Sequence, residues 1–260
     1  MSGPTTPATA EVVGDRPLVV GLGVTGAALV EALRRRGIVA TVVDDRPSDA
    51  TVARARRLGV ELIARPDHAA LARLVGAATS VLPSPGVPEL HEVFGLAAGA
   101  GVAVRSELDL AAVWDSRPCL AVTGSAGKTT VTTLVAAMLE ASGIHAADAG
   151  NTEVPLVAAI DDPSVEVFVV EASSFRLAIS ERFRPRVATW LNFAADHQDA
   201  HTDLAAYEAA KARIFANLTV DDLAVANADD PVVMAHAEAV PRLQTFGLRA
   251  PVPVVPARIG

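Results

Sequence analysis

Two lysines and two glycine-bearing turns are the places where this chain can do chemistry. Of its 22 basic residues only Lys128 and Lys211 are lysine, and the other twenty are arginine. A guanidinium is a planar fork that stays charged, whereas a lysine amine is compact and can be deprotonated. Both retained lysines fall inside motifs. Lys128 belongs to TGSAGKTT, Thr123 to Thr130, between an apolar run and the helical pattern TVTTLVAAMLEASG. Successive backbone N–H groups there, through Gly124, Ser125 and Gly127, can cradle phosphates. Lys128 can reach the terminal ones, and a hydroxyl of Thr129 or Thr130 can meet Mg²⁺. The loop departs from the usual G-x4-GK-T spacing, because Val122 stands where the first glycine belongs.

The second turn is GxGxxG, formed by Gly21, Gly23 and Gly26 between the run PLVV and the helical AALVEALRRRG. Asp44 and Asp45 close the strand that follows. The glycines permit a tight turn and close approach of a diphosphate to the helix N-terminus. From these residues alone the ligand is a dinucleotide or another diphosphate, and a ligand-free βα turn has the same pattern. Glu171 ends the run VFVVE, where a carboxylate beside a phosphate loop can hold Mg²⁺. DHQDAH, Asp196 to His201, follows another strand end and suits a divalent ion or the orientation of substrate oxygens. Lys211 lies in the helical stretch YEAAKARIF, with Tyr207 and Ala210 near it on the wheel.

These residues need a scaffold of strand ends. Residues 17 to 46 read strand–turn–helix–strand, and the alternation continues through RARRLGVELIA, ATSVLPSPGVP and LAAGAGVAVRSELDL. The expected class is α/β: a Rossmann-like parallel sheet over residues 17–107, then a P-loop α/β unit over 108–260. After residue 119 four strands are expected, CLAVTG, EVFVVEAS, RVATWLN and LAVANA, each a nearly continuous apolar run buried on both faces. Ligands of an open α/β sheet bind outside the carboxyl ends of its strands, so the chemistry is expected there. Residues 1–16 are expected to form a disordered tail.

Composition narrows the function classes. Hydrophobic residues make up 51% of the chain but aromatics only 4%, so the cores must be Ala, Val and Leu. A net charge of −8 argues against a nucleic-acid surface, which needs clustered Lys and Arg. Arg34 to Arg36 are expected as a solvated helix end, where cations favour the dipole. Cys119 is the one cysteine, so no internal disulfide is possible and a reducing compartment fits. Neither a secretion signal nor a membrane-length apolar run is present, which predicts a cytoplasmic protein without a membrane partner, expected as a monomer.

Taken in order, the motifs resemble the Mur ligases of bacterial peptidoglycan synthesis. GLGVTG, VVDDR, SPGVP, TGSAGKTTVTTL, GNTEVP, VEASSFRL, LNFAADHQDAH, YEAAKARIF and VANADDP match that family in sequence and spacing, over about residues 17 to 247. GLGxTG, SPG and the SSF segment favour the branch that adds D-glutamate. The resemblance implies that Val24, Thr25, Asp44, Asp45, Arg46, Ser84, Pro85 and Gly86 hold a uridine diphosphate. It assigns Asn151 and His197 to the muramoyl-alanine part of UDP-N-acetylmuramoyl-L-alanine. Gly127, Lys128, Thr129 and Thr130 would bind ATP phosphates and one Mg²⁺, with Glu171 as a further ligand. Lys211 would be carbamylated, an amine that has added CO₂, and with His197 would serve a second Mg²⁺. The implied reaction is phosphorylation of the alanyl carboxylate by ATP, then attack of the D-glutamate amine on the acyl phosphate.

The chain departs from the family pattern at several positions. Ala126 replaces the usual loop Asn, Thr152 and Glu153 replace Ile-Gly after Asn151, and Arg176 stands where Gln is common. The chain stops at Gly260, before the family's G-x-H-N-x-x-N segment and C-terminal domain, so this chain alone is expected to bind ligands without making the amide. Two other readings are a non-catalytic UDP-sugar or ATP-binding remnant and a nicotinamide-dependent dehydrogenase. The latter leaves TGSAGKTT, Glu171 and DHQDAH without a role.

Overall fold

The computed structural model describes residues 12–195 and 201–249. Most of the expected tail, the Pro-rich end and residues 196–200 lie outside that range. Strands β1 (Pro17–Val20), β2 (Thr41–Asp44), β3 (Leu62–Ala64), β4 (Ser80–Pro83) and β5 (Ala103–Val104) form one sheet in the order β3-β2-β1-β4-β5. Its pairings are parallel, with Val19 opposite Val42 on one side and Leu82 on the other. Helices α1 (Val24–Arg35), α2 (Asp49–Leu58), α3 (His68–Ala77) and α4 (Glu92–Ala100) make the crossovers. The strand order reverses between β1 and β4, so the two strand ends part there and leave the crevice in which such sheets bind ligands.

Helix α5 (Glu107–Trp114) leads to a second parallel sheet. It contains β6 (Cys119–Thr123), β7 (Ala146–Gly150), β8 (Val167–Glu171), β9 (Val187–Trp190), β10 (Leu223–Asn227) and β11 (Leu243–Phe246), in the order β11-β10-β9-β6-β8-β7. Around it lie α6 (Lys128–Ala141), α7 (Leu156–Ala159), α8 (Ser174–Ala178), α9 (Leu204–Ala212) and α10 (Pro231–Ala237). Both sheets match the α/β class expected. The four apolar runs are β6, β8, β9 and β10, the inner strands. The two strands that sequence reading did not find, β7 and β11, are the edges of the sheet. Edge strands need no run that is apolar on both faces, and AADAG and LQTF have none.

The cores are aliphatic, as the composition requires. Leu18, Val20, Val43 and Val81 cover one face of the first sheet, and Val19, Val42, Leu29 and Leu33 cover the other. In the second sheet Phe168 and Trp190 are the large fillers. The halves are tied together through α5. Asp109 is fully buried, and its carboxylate accepts backbone N–H bonds from Glu181, Arg182 and Phe183 at 2.7–3.0 Å. Arg36 is less solvated than expected, because its guanidinium lies 4.0 Å over the Trp114 ring. Among the described helices, α2 to α5 and α8 to α10 begin under a side-chain cap. Helices α1 and α6 begin instead on glycines, Gly23 and Gly127, with no side-chain cap. Their first N–H groups are therefore left for something else.

Candidate functional site

At the first turn, β1 delivers the chain to Gly21, whose φ of +82° is left-handed. Gly26 packs so tightly under this turn that a Cβ there would lie 2.0 Å from the Gly21 carbonyl oxygen. The Ser84 hydroxyl donates to that same carbonyl at 2.6 Å, joining the ends of β1 and β4. Asp44 shapes the turn from β2, its carboxylate accepting from the N–H groups of Leu22 (2.9 Å) and Arg46 (3.0 Å). Asp45 pairs with the His91 imidazole. A cleft of about 510 Å³ opens over these strand ends. Val24, Thr25, Asp44, Asp45, Arg46, Ser84, Pro85, Gly86 and Asn151 all line it, together with Arg176. Every described residue that the resemblance assigned to the UDP-sugar therefore faces one space. His197 lies outside the described residues.

The second turn follows β6. Gly124 is held against β9, where a Cβ would come within 3.1 Å of the Leu191 Cβ. Gly127 takes a φ of +82° and starts α6. The loop between them is gripped by Asn192, a strand-end residue of the LNFAADHQDAH motif to which sequence reading assigned no role of its own. The Asn192 side chain accepts from the Ala126 N–H (2.9 Å) and donates to the Ala126 carbonyl (3.1 Å), while its backbone carbonyl accepts from Ser125. The available signal was an Asn closing a buried strand next to the loop strand. Lys128 Nζ folds back on its own loop, donating to the carbonyls of Gly124 (3.0 Å) and Ser125 (3.2 Å). Lys211 is only 1% exposed, donates to the Gly124 carbonyl at 2.7 Å and sits 4.5 Å over the Tyr207 ring. It is no solvated helical lysine. Of DHQDAH, the described His201 bridges Ser174 and Glu89 and stacks on Phe175.

Glu171 links the phosphate-loop helix to Asn151 on the wall of the first cleft. Its Oε2 accepts from the Thr129 hydroxyl at 2.7 Å, and its Oε1 accepts from the Asn151 amide at 3.2 Å. Thr130 is exposed in the first turn of α6. Nearby, Thr133 donates to Asp148 at 2.9 Å. Burial pushes the Asp148 carboxyl up, and the neighbouring Glu171 pushes in the same direction against that hydrogen bond. Glu107 is buried as well, and desolvation pushes its carboxyl up while Arg176 pulls it down. Desolvation, with Glu107 adding to it, pushes the half-buried Cys119 thiol up, away from the thiolate that a nucleophile needs.

A carboxylate and a hydroxyl at 2.7 Å, beside the unsatisfied N–H groups of a helix start, suit a hard cation bound together with phosphate oxygens. Among the described residues no three His, Cys, Asp or Glu side chains gather as a protein-only metal cage. A site for Mg²⁺ that completes its shell with water and phosphate is consistent with this. No described helix is long and apolar enough to cross a membrane.

Fold and site together define a parallel α/β protein with a glycine loop of the phosphate-binding type after the central strand β6 of its second sheet. Residues 122–255 match the model of the Mur ligase middle domain, and residues 15–106 that of the MurD-like N-terminal domain of Mur ligases. The chain belongs to the Mur ligase family. It is 41% identical over 230 residues to the UDP-N-acetylmuramoylalanine–D-glutamate ligase of Thermus thermophilus, covering 88% of this chain and 53% of that protein. The ligase of the same description from Desulfosudis oleivorans is 40% identical over 238 residues, covering 88% and 50%. The chain thus spans about half the length of the curated relatives it matches. Among solved structures, the UDP-N-acetylmuramate:L-alanyl-gamma-D-glutamyl-meso-diaminopimelate ligase of Neisseria meningitides aligns with a TM-score of 0.60 at 18% identity, over 89% of this chain and 78% of that one. The UDP-N-acetylmuramate-alanine ligase of Thermotoga maritima gives 0.52 at 20% identity, over 90% and 53%. At these identities the two structures speak for the fold alone.

Proposed function

We propose that these residues are the substrate-activating part of an ATP-dependent ligase that joins D-glutamate to UDP-N-acetylmuramoyl-L-alanine. In this reading residues 17–107 form the UDP-sugar domain and residues 108–260 belong to the ATPase domain of a cytoplasmic, monomeric enzyme. The observation that carries it is the position of Asn151. Asn151 lines the first cleft and donates to Glu171, which in turn holds the first turn of the phosphate-loop helix through Thr129. A substrate in the cleft is thereby led toward the place where a γ-phosphate would lie.

Val24 and Thr25 at the start of α1 would bind the diphosphate, and Asp44, Asp45 and Arg46 would face the uridine side. Ser84, Pro85 and Gly86 would close the crevice, and Asn151 with His197 would direct the muramoyl-alanine. Gly124, Ser125, Gly127 and Thr130 would form the wall around the ATP phosphates. On nucleotide binding Lys128 would exchange its two loop carbonyls for phosphate oxygens. Thr129 and Glu171 would hold one Mg²⁺, and His197 with carbamylated Lys211 a second. These ions would offset the repulsion between carboxylate and triphosphate. Carbamylation joins the neutral Lys211 amine to CO₂ with loss of a proton, and burial beside the loop would shield the product from water. Phosphoryl transfer to the alanyl carboxylate gives an acyl phosphate and ADP. Attack by the D-glutamate amine then gives the amide and phosphate. No residue of this chain is assigned to D-glutamate here.

The test is a calorimetric titration of the 260-residue chain with UDP-N-acetylmuramoyl-L-alanine and with NAD, followed by Mg²⁺–ATP. Binding of the UDP-sugar and of Mg²⁺–ATP without binding of NAD is the expected result. Equal stabilisation against heat by NAD and by the UDP-sugar would overturn the assignment of the first cleft.

A further inference from the structure

Arg176, noted from sequence only as a departure, is a cation enclosed between the two halves of the molecule. It lies in α8, is 4% exposed, and lines the first cleft. Its Nη2 donates to the Thr25 hydroxyl and its Nη1 to the Asn151 side-chain carbonyl, both at 2.9 Å. Its Nε lies 2.9 Å from Glu107 Oε1, yet neither atom completes an aligned hydrogen bond. A guanidinium has five N–H donors. Two are used in hydrogen bonds, so Glu107 balances the charge without saturating the fork.

Each contact also fixes its partner. A hydroxyl that accepts from Arg176 must point its own proton elsewhere, which makes Thr25 a donor at the start of α1. With its carbonyl turned to Arg176, Asn151 offers its amide to Glu171. The result is one hydrogen-bonded line from Thr25 through Arg176, Asn151 and Glu171 to Thr129. The turn Gly21 to Gly26 has no basic residue of its own; Arg54 donates to its Leu22 carbonyl at 2.7 Å and the exposed Arg46 lines the cleft, while Arg176 reaches it from the buried side. A diphosphate seated there meets the weak positive end of α1 and needs a fixed charge besides.

We propose that Arg176 is a specificity-determining residue that sets its charge against the second phosphate of a nucleoside diphosphate-sugar, while orienting Thr25 and Asn151 on either side. The proposal rests on reading the first cleft as a nucleotide-sugar site. The second phosphate is chosen because Arg176 stands between Thr25, on the diphosphate side, and Asn151, on the sugar side. A glutamine here, being neutral and not forked, can neither supply the charge nor reach both partners in the same way.

The experiment compares UDP, UMP and Mg²⁺–ATP binding to the wild-type chain, to Arg176→Gln and to the double variant Glu107→Gln/Arg176→Gln. The double variant removes both buried charges and avoids leaving Glu107 unpaired. Loss of one charge-assisted contact should weaken UDP binding roughly tenfold to a hundredfold in both variants. UMP and Mg²⁺–ATP should change by less than about threefold. Equal losses for UDP and UMP, or no loss for UDP in the double variant, would overturn the proposal and leave Arg176 a structural residue. A wild-type chain that binds Mg²⁺–ATP but neither UDP nor UMP would instead remove the cleft reading, and the proposal with it.

Discussion

The two glycine turns begin helices in the same way and do opposite things with glycine. In the first, Gly26 is needed because another backbone occupies the place of its side chain, with the Gly21 carbonyl 2.0 Å from a would-be Cβ. In the second, Gly127 has room, since the nearest atom to a Cβ is Leu191 Cδ1 at 3.7 Å. What it requires is its φ of +82°. The chemistry differs in parallel. The phosphate loop carries its own lysine and faces Glu171, whereas the first turn has no basic residue of its own and is reached by Arg54 from α2 and by Arg176 across the junction. Gly26 is fixed by close packing, whereas Lys128 is held by two loop carbonyls that phosphate oxygens can replace.

The largest effect that would test this contrast is on stability. Gly26→Ala should destabilise the chain by about 3 kcal/mol, the upper part of the overpacking range, because the nearest clash is with the Gly21 backbone and cannot relax by rotamer change. Helix propensity alone predicts the reverse sign, a gain of about 1 kcal/mol for alanine inside a helix. Urea unfolding separates the two, and a variant as stable as the wild type would break the packing account. Next in size is Lys128→Ala, which should lower Mg²⁺–ATP affinity by one to two decades, about 1.5–3 kcal/mol. UDP-sugar binding should stay within about threefold of wild type. An unchanged ATP affinity would take the second turn out of the nucleotide site.

The contrast was only half legible in the sequence. The turns, Glu171 and the inner strands could be found because glycine spacing and apolar runs are local signals. That nine residues share one cleft was implied only by the resemblance to the Mur ligases, not by any local signal. What could not be read was pairing across the junction. Arg176 and Thr25 are 151 positions apart, and Glu107 marked only a boundary between the two expected units. Lys211 was legible by its rarity, but its burial under the loop was not, because one helical lysine carries no sign of which face it occupies. Edge strands β7 and β11 escaped for the same reason: their partners, and not their own residues, make them strands.

The smallest effect expected on stability is that of Gly127→Ala, and it sharpens the comparison most. The added methyl meets only Leu191 at ordinary van der Waals distance, so no packing penalty arises. A left-handed alanine costs roughly 1–2 kcal/mol. The loss of unfolded-chain freedom on replacing glycine returns about 0.4–1 kcal/mol. A net loss near 1 kcal/mol is therefore expected by urea unfolding, well below that of Gly26→Ala. The effect on the ligand should be the larger one. If the variant loop relieves its strain by moving φ toward negative values, the N–H groups at the start of α6 rotate away from where phosphates would sit. Mg²⁺–ATP affinity should then fall roughly tenfold while the UDP-sugar still binds. A variant that loses as much stability as Gly26→Ala, with both affinities falling together, would show that the two turns are held by the same forces.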